Sequence, residues 1–292
     1  MAPSTRMTVP AIRDRKAGDA DAGRVSDPLV MVTAYDAPGA RIVDEAGVDM
    51  ILVGDSLAMV VLGYEDTLQV TVADIAHHTA AVARTRPNAL IVADLPWMSY
   101  HVSVQDTVRN AAELIRAGAQ SVKLEGGRKR LPMIEALVDA EIPVMGHLGL
   151  TPQSVHAMGG FKVQARKSEA ALELLADAKA LQHVGCFAIV LEGVPDEVAR
   201  MVTESLEVPT IGIGAGRDCD GQVLVYHDVL GIEDRMAPKF VRRYAAVKAV
   251  SVEAVRNFAA DVRSGAFPDA SESYHLAADQ AEALSLYGSA PR

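Results

Sequence analysis

Five short apolar runs in this 292-residue sequence each lead into a titratable residue. Met50-Ile-Leu-Val is followed by Gly54-Asp55-Ser56. Leu90-Ile-Val-Ala leads to Asp94, Ser121-Val-Lys-Leu to Glu125, Pro143-Val-Met-Gly to His147, and Phe187-Ala-Ile-Val-Leu to Glu192. Asp55, Asp94 and Glu125 offer hard oxygen ligands, which select Mg2+ or Mn2+ over Zn2+. Several carboxylates at one point repel each other unless a cation joins them. Two or three of them leave positions for water and a chelating substrate. A metal that chelates a 2-oxo acid stabilises its enolate, and a nearby carboxylate can remove the proton. The residues alone do not identify the substrate.

Plainer readings stand beside these. Any one acid could cap a helix or pair with an arginine. Lys123 lies two residues before Glu125 and so points to the same side of the strand. It could meet a substrate carboxylate or form an ion pair inside the fold. Ser56 could donate to a substrate oxygen or cap the following turn. His147 could serve the site or be a hydrogen-bonded core histidine. His77, His78 and His183 fall on helix surfaces. Gly212-Ile-Gly-Ala-Gly216 could hold a phosphate or simply make a tight turn.

The elements that must position these groups are legible. Short unbroken apolar runs fit strands buried on both faces of a parallel sheet. Strands are expected at 29–34, 50–53, 90–93, 121–124, 143–146, 187–191, 208–212 and 223–226. Helices fill the intervals. Asp36 is a good N-cap with Pro38 in the first turn, and Gly47 suits the position after that helix. Thr71-Val-Ala-Asp74 and Ser103-Val-Gln-Asp106 are capping-box patterns. Gly118 stops a helix, Ser168 caps one, and Pro195 begins one. Helix end, glycine, buried strand recurs at Glu45–Val53, Arg116–Leu124 and His183–Leu191. About eight such units predict a closed (β/α)8 TIM barrel rather than an open doubly wound sheet. In that fold the strand C-termini converge on one mouth. Residues 1–27 read as a mobile arm with a short helix near Val9–Lys16, 28–275 as one catalytic domain, and 276–292 as a polar tail.

Half of the residues are hydrophobic but only 4% are aromatic, so the core must be aliphatic. Twenty-eight basic residues against 38 acidic ones leave a net charge of −10. That balance argues against nucleic acid or an anionic membrane as a partner. Cys186 and Cys219 lack metal or redox spacing, as expected in a reducing compartment. No stretch approaches the roughly 18 apolar residues of a membrane span. The N-terminus lacks a secretion signal, and a cytoplasmic protein is expected.

The motifs resemble the ketopantoate hydroxymethyltransferase family. Matching stretches include Val32-Thr-Ala-Tyr-Asp36, Leu52-Val-Gly-Asp-Ser56, Ala93-Asp-Leu-Pro96, Val122-Lys-Leu-Glu-Gly-Gly127 and Gly146-His-Leu-Gly-Leu-Thr-Pro-Gln-Ser154. Gly159-Gly-Phe-Lys-Val-Gln164, Val190-Leu-Glu192, Ile211-Gly-Ile-Gly-Ala-Gly216 and Asp220-Gly-Gln222 follow in the family's order. The resemblance implies a barrel of the phosphoenolpyruvate/pyruvate superfamily type, assembled as a homo-oligomer, commonly a decamer. It implies one-carbon transfer from 5,10-methylenetetrahydrofolate to 3-methyl-2-oxobutanoate, giving 2-dehydropantoate for coenzyme A synthesis. By the same resemblance Asp55, Asp94 and Glu125 would form the Mg2+ set, some through water. Asp55, Ser56, Asp94, Lys123 and His147 would contact the 2-oxo acid, and Glu192 would be the base at C3.

Three positions depart from the family. Ala58 stands where Gly is common and would be strained at positive φ. Gly193 stands where a larger residue follows the base, which would loosen Glu192. Gln164-Ala-Arg replaces Gln-Gly-Arg. Two rival readings are another Mg2+-dependent 2-oxo-acid lyase on the same barrel and a catalytically silent metabolite-binding barrel. Those lyases are expected to carry a Lys-Lys-Cys-Gly-His-type loop, which is absent.

Overall fold

The structure is a computed structural model that describes residues 6–17, 27–233 and 238–285. Eight parallel strands close into a barrel in sequence order. They are β1 Leu29–Thr33, β2 Met50–Val53, β3 Leu90–Asp94, β4 Ser121–Glu125, β5 Val144–Gly149, β6 Ala188–Glu192, β7 Thr210–Ile213 and β8 Gly221–Leu224. Closure is made where Met31 of β1 pairs with Val223 of β8. The open-sheet alternative is therefore excluded.

The helices in chain order are α1 Val9–Ala17, α2 Ala37–Glu45, α3 Leu57–Val60, α4 Val72–Ala83, α5 Val104–Ala117, α6 Leu131–Asp139 and α7 Val155–Met158. They continue as α8 Ser168–His183, α9 Asp196–Glu204, α10 Tyr226–Leu230, α11 Val247–Ser264 and α12 Ala278–Ser285. Alternation of buried residues splits the core in two. One layer, with Ile51, Val53, Ile91, Leu124 and Ile189, packs between strands and helices. The other fills the barrel interior with Leu29, Met31, Met50, Leu90, Val92, Met145, Phe187 and Val190. Aliphatic side chains do most of this filling, as the low aromatic content requires.

Local rules explain most boundaries. Asp36 accepts from Gly39 N at 2.7 Å and starts α2. Thr71 and Asp74 form a reciprocal capping box at α4. Ser103 caps α5, but Asp106 does not return the bond to the Ser103 backbone: it receives the Ser103 hydroxyl and pairs with Arg109. Ser168 is the first helical residue of α8, not its cap, and Lys167 holds the cap position without a side-chain bond. The last strand begins two residues earlier than its apolar content suggests. Gly221 has no side chain to signal a strand, and Tyr226 already opens α10, its N–H bonded to Thr33 Oγ1.

The first 27 residues were expected to form a mobile arm. Residues 1–5 and 18–26 lie outside the described residues, but α1 is docked on the barrel. Ile12 is fully buried among Leu29, Leu90 and Phe187 at the strand N-termini. Lys16 Nζ bonds Thr203 O at 2.7 Å and pairs with Asp220 at 2.9 Å, while Arg15 pairs with Asp49. An apolar plug with cationic anchors thus closes the end of the barrel opposite the acids.

The expected 28–275 domain divides in the structure. Among the described residues, those up to Tyr244 form one compact unit and those from Ala245 a second. Within the second, α11 ends at Gly265, and Phe258 and Phe267 meet edge to face at 5.2 Å. Part of the expected polar tail is helical, as α12, and residues 286–292 lie outside the described residues. No helix among the described residues is long and apolar enough to cross a membrane.

Candidate active site

The strand ends deliver the expected groups to one place. Asp94, Glu125 and Glu192 are the last residues of β3, β4 and β6, His147 lies inside β5, and Asp55 follows β2 by two residues. Apart from β2, these strands run slightly further than their apolar stretches, because ladder pairing carries the polar end residue into the sheet. Glu125 pairs with His147 and Asp94 with Lys123 in the registers of neighbouring strands. Asp55, Asp94, Lys123, Glu125 and His147 are each no more than 5% exposed. Charges so buried must be compensated locally.

The compensation is partial. Lys123 Nζ lies 2.7 Å from Asp94 Oδ1 and 3.3 Å from His147 Nδ1. The contact with Asp94 is a short ion pair between one ammonium and one carboxylate oxygen. Asp94 Oδ2 accepts from Asp55 N at 3.0 Å. Asp55 Oδ2 accepts from Gln153 Nε2 at 2.8 Å, and Glu125 Oε2 from Gln153 N at 3.0 Å. His147 Nδ1 stands 3.4 Å from Glu125 Oε1, and Nε2 stands 3.2 Å from Glu192 Oε2. Glu192 is the least enclosed of the four acids, with its side chain 15% exposed.

The electrostatics follow. Burial, then the charges of Asp94 and Glu125, push the Asp55 carboxyl well above its usual range. Burial also raises Asp94, although Lys123 opposes the shift. Burial disfavours the Lys123 ammonium, but the carboxylates of Asp94, Glu125 and Asp55 outweigh it and its pKa rises. For His147, burial and Lys123 act downward. Contacts with Glu125 and Glu192 win and lift it from 6.5 to about 9. Three closely spaced carboxylates facing one ammonium leave room for further positive charge.

Several alternatives are now resolved. Lys123 does make an ion pair inside the barrel, and it does so at the mouth. Ser56 makes no cap bond to α3; its Oγ is 2.8 Å from Tyr35 OH. A Cβ built on Gly54 would meet both Ser56 Oγ, at 2.9 Å, and Asp94 Oδ2, at 3.4 Å, so Ser56 flanks the acids. His78 is more than a surface residue, since its Nδ1 is 2.6 Å from Tyr35 O. The glycine-rich segment starts inside β7, and past the strand a Cβ at Gly216, with φ 79°, would overlap Asp196 Cβ and lie 3.1 Å from its Cα, which fits the tight-turn reading.

The family departures are accommodated unequally. Ala58 is helical within α3, so it carries no strain. Gly193 has φ 54°, where glycine is preferred, and a Cβ there would meet Leu150 Cβ at 3.2 Å. The backbone around Glu192 is firmly held by Leu150 N to Glu192 O at 2.7 Å and Gly193 N to Ile213 O at 2.9 Å. Ala165, by contrast, does adopt φ 54°.

Sequence reasoning missed Gln153 and Tyr100 as site residues. Both are buried and touch the acids directly. Tyr100 had only its position as a signal, six residues after Asp94, whereas Gln153 lies within the Gly146–Ser154 stretch that resembles the family.

Fold and site together define a (β/α)8-barrel enzyme with a buried acid cluster, a lysine and a histidine at the strand C-termini. The chain belongs to the ketopantoate hydroxymethyltransferase family, whose model matches residues 8–270. A 3-methyl-2-oxobutanoate hydroxymethyltransferase 2 of Bradyrhizobium diazoefficiens is 58% identical, over 94% of this chain and 91% of the relative. The 3-methyl-2-oxobutanoate hydroxymethyltransferase of Moorella thermoacetica is 53% identical, over 94% of this chain and all of the relative. Among solved structures, phosphonopyruvate hydrolase in complex with oxalate and Mg2+ superposes with a TM-score of 0.56 at 17% identity, covering 91% of this chain and 93% of that one. A 2,3-dimethylmalate lyase of the PEP mutase/isocitrate lyase superfamily gives 0.58 at 16% identity, covering 91% and 89%. At such identities the likeness concerns the fold alone.

Proposed function

We propose that this enzyme uses Mg2+ to transfer the one-carbon unit of 5,10-methylenetetrahydrofolate to C3 of 3-methyl-2-oxobutanoate, giving 2-dehydropantoate. The relatives' names support the 2-oxo acid and the hydroxymethyl group. The observation that carries the chemistry is the isolation of Glu192 from the knot of the other three acids. It meets only the His147 imidazole within that cluster and is the most open of the four.

The donor set fits a hard divalent ion. Asp55, Asp94 and Glu125 bring buried hard oxygens together, and the single Lys123 ammonium facing them leaves negative charge for a cation to neutralise. Among the described residues no three His, Cys, Asp or Glu side chains gather closely enough to hold an ion by themselves. Mg2+ commonly binds through one or two carboxylates and keeps the remainder as water or substrate. Asp55 and Asp94 would therefore hold it directly, and Glu125 through water. When bound, Mg2+ would draw charge from the keto oxygen of the 2-oxo acid and acidify C3.

The protein's own groups do the rest. Lys123, kept charged by its acid neighbours, would hold the substrate carboxylate, and Ser56 would donate to a substrate oxygen. Glu192 would take the proton from C3. His147, whose Nε2 lies 3.2 Å from Glu192 Oε2, would keep the Glu192 carboxylate in place. C3 would then bond to the methylene carbon as both bonds of that carbon to folate nitrogens break. Water would supply the hydroxyl, and the C3 proton and one water proton would end on the two nitrogens of the departing tetrahydrofolate. Burial of the acids keeps bulk water away from the basic carbon. Membership of the family supports a homo-oligomer, and two buried free thiols suit the cytoplasm.

A turnover assay tests this reading. The protein with Mg2+, 5,10-methylenetetrahydrofolate and 3-methyl-2-oxobutanoate should form 2-dehydropantoate, and chelation should stop it. Turnover of other 2-oxo acids but not this one would favour the lyase alternative.

A further inference from the structure

Gln153 sits at the centre of the acid cluster without being part of its charge. It lies on a 3-10 turn, Pro152–Ser154, just past β5, and is 5% exposed. Its Nε2 donates to Asp55 Oδ2 at 2.8 Å and to Leu95 O at 3.0 Å. Its Oε1 accepts from Tyr100 OH at 2.6 Å, and its backbone N–H donates to Glu125 Oε2 at 3.0 Å. Tyr100 OH in turn accepts from Glu125 N at 3.2 Å. The orientation of the amide is fixed by its partners. Leu95 O and the Asp55 carboxylate are acceptors, and the Tyr100 proton has Oε1 as its acceptor. One residue therefore ties acids from β2 and β4 to the loop after β3.

The chemistry of the tie matters. A lysine or arginine here would orient the acids but also neutralise them. A neutral amide fixes one oxygen of Asp55, and the backbone N–H fixes one of Glu125, while both charges remain available to a bound cation. Partners of this kind orient metal ligands, and their loss typically weakens metal binding 10- to 100-fold.

We propose that Gln153, braced by Tyr100, is a positioning residue that presets Asp55 and Glu125 for a hard divalent cation. The inference rests on the Mg2+ reading above. Mn2+ is the probe: titrate the purified protein without substrate and read free Mn2+ by its paramagnetic resonance signal. Gln153→Met keeps the volume and removes all three side-chain bonds, to Asp55, Leu95 O and Tyr100. It should weaken Mn2+ binding about 10- to 100-fold while circular dichroism shows the native fold. Tyr100→Phe removes the brace and the acceptor of the Glu125 N–H, leaves the Gln153 bond to Asp55 in place, and should weaken binding in the same sense by a smaller factor. A purely structural role would lower the melting temperature and leave the Mn2+ affinity of the folded protein unchanged. Affinities within twofold of wild type in both folded variants would overturn the proposal. Should Gln153→Met fail to fold, Tyr100→Phe decides by the same threshold. Absence of Mn2+ binding by the wild type would overturn the Mg2+ reading itself, and this inference with it.

Discussion

His147 stands between two carboxylates and an ammonium, 3.4 Å from Glu125, 3.2 Å from Glu192 and 3.3 Å from Lys123. An imidazole in the unfolded chain loses its proton near 6.5, whereas the folded one holds it to about 9. Its contribution to stability is therefore complete below about pH 6.5 and disappears as pH rises to about 9. In the metal-free protein the melting temperature should fall across that window, and the fall should be shallower in His147→Gln. Equal slopes in the two proteins would show that His147 is not held protonated. The acids themselves were legible in the sequence because each interrupts an apolar run, which strand burial alone does not explain. Gln153 and Tyr100 were not. A glutamine in a loop and a tyrosine past a strand are common, and their importance lies in partners drawn from separate elements.

At the scale of elements, glycine placement sets how closely helices pack. Gly118 ends α5 at φ 115°, and a side chain there would overlap Ala83 Cβ of α4. Gly118→Ala should cost about 2 kcal/mol or more, from overlap plus left-handed strain, measured by denaturant unfolding. A loss under about 0.5 kcal/mol would mean that α4 and α5 yield easily. Strands two, three and four began where their apolar runs begin, since burial on both faces leaves a plain signal. The eighth strand did not, because Gly221 and Gln222 carry no apolar signal and the strand is recognised only through its pairing with β1 and β7. The cap at α8 failed for a related reason: Ser168 could serve inside the first turn as readily as before it.

For the whole molecule, the barrel separates stability from chemistry. Ile12 and its neighbours close the end opposite Asp55, Asp94, Glu125 and Glu192. Ile12→Ala should cost about 2–5 kcal/mol, yet leave KM for the 2-oxo acid unchanged at a temperature where the variant is folded. A raised KM with little loss of stability would tie the plug to the mouth. The closed barrel itself was readable from repetition of helix end, glycine and strand. The docking of α1 was not, because its amphipathic signal is weak and its anchors, Thr203 and Asp220, lie near the far end of the chain.

The central claim is that Glu192 removes the C3 proton of 3-methyl-2-oxobutanoate in a Mg2+-dependent site. Proton exchange at C3 in deuterated buffer, followed by NMR without folate, tests it most directly. Mg2+-dependent exchange by the wild type, reduced at least about 100-fold in folded Glu192→Gln, is the expected result. Unchanged exchange in Glu192→Gln, or no exchange by Mg2+-loaded wild type even with tetrahydrofolate added, would contradict it.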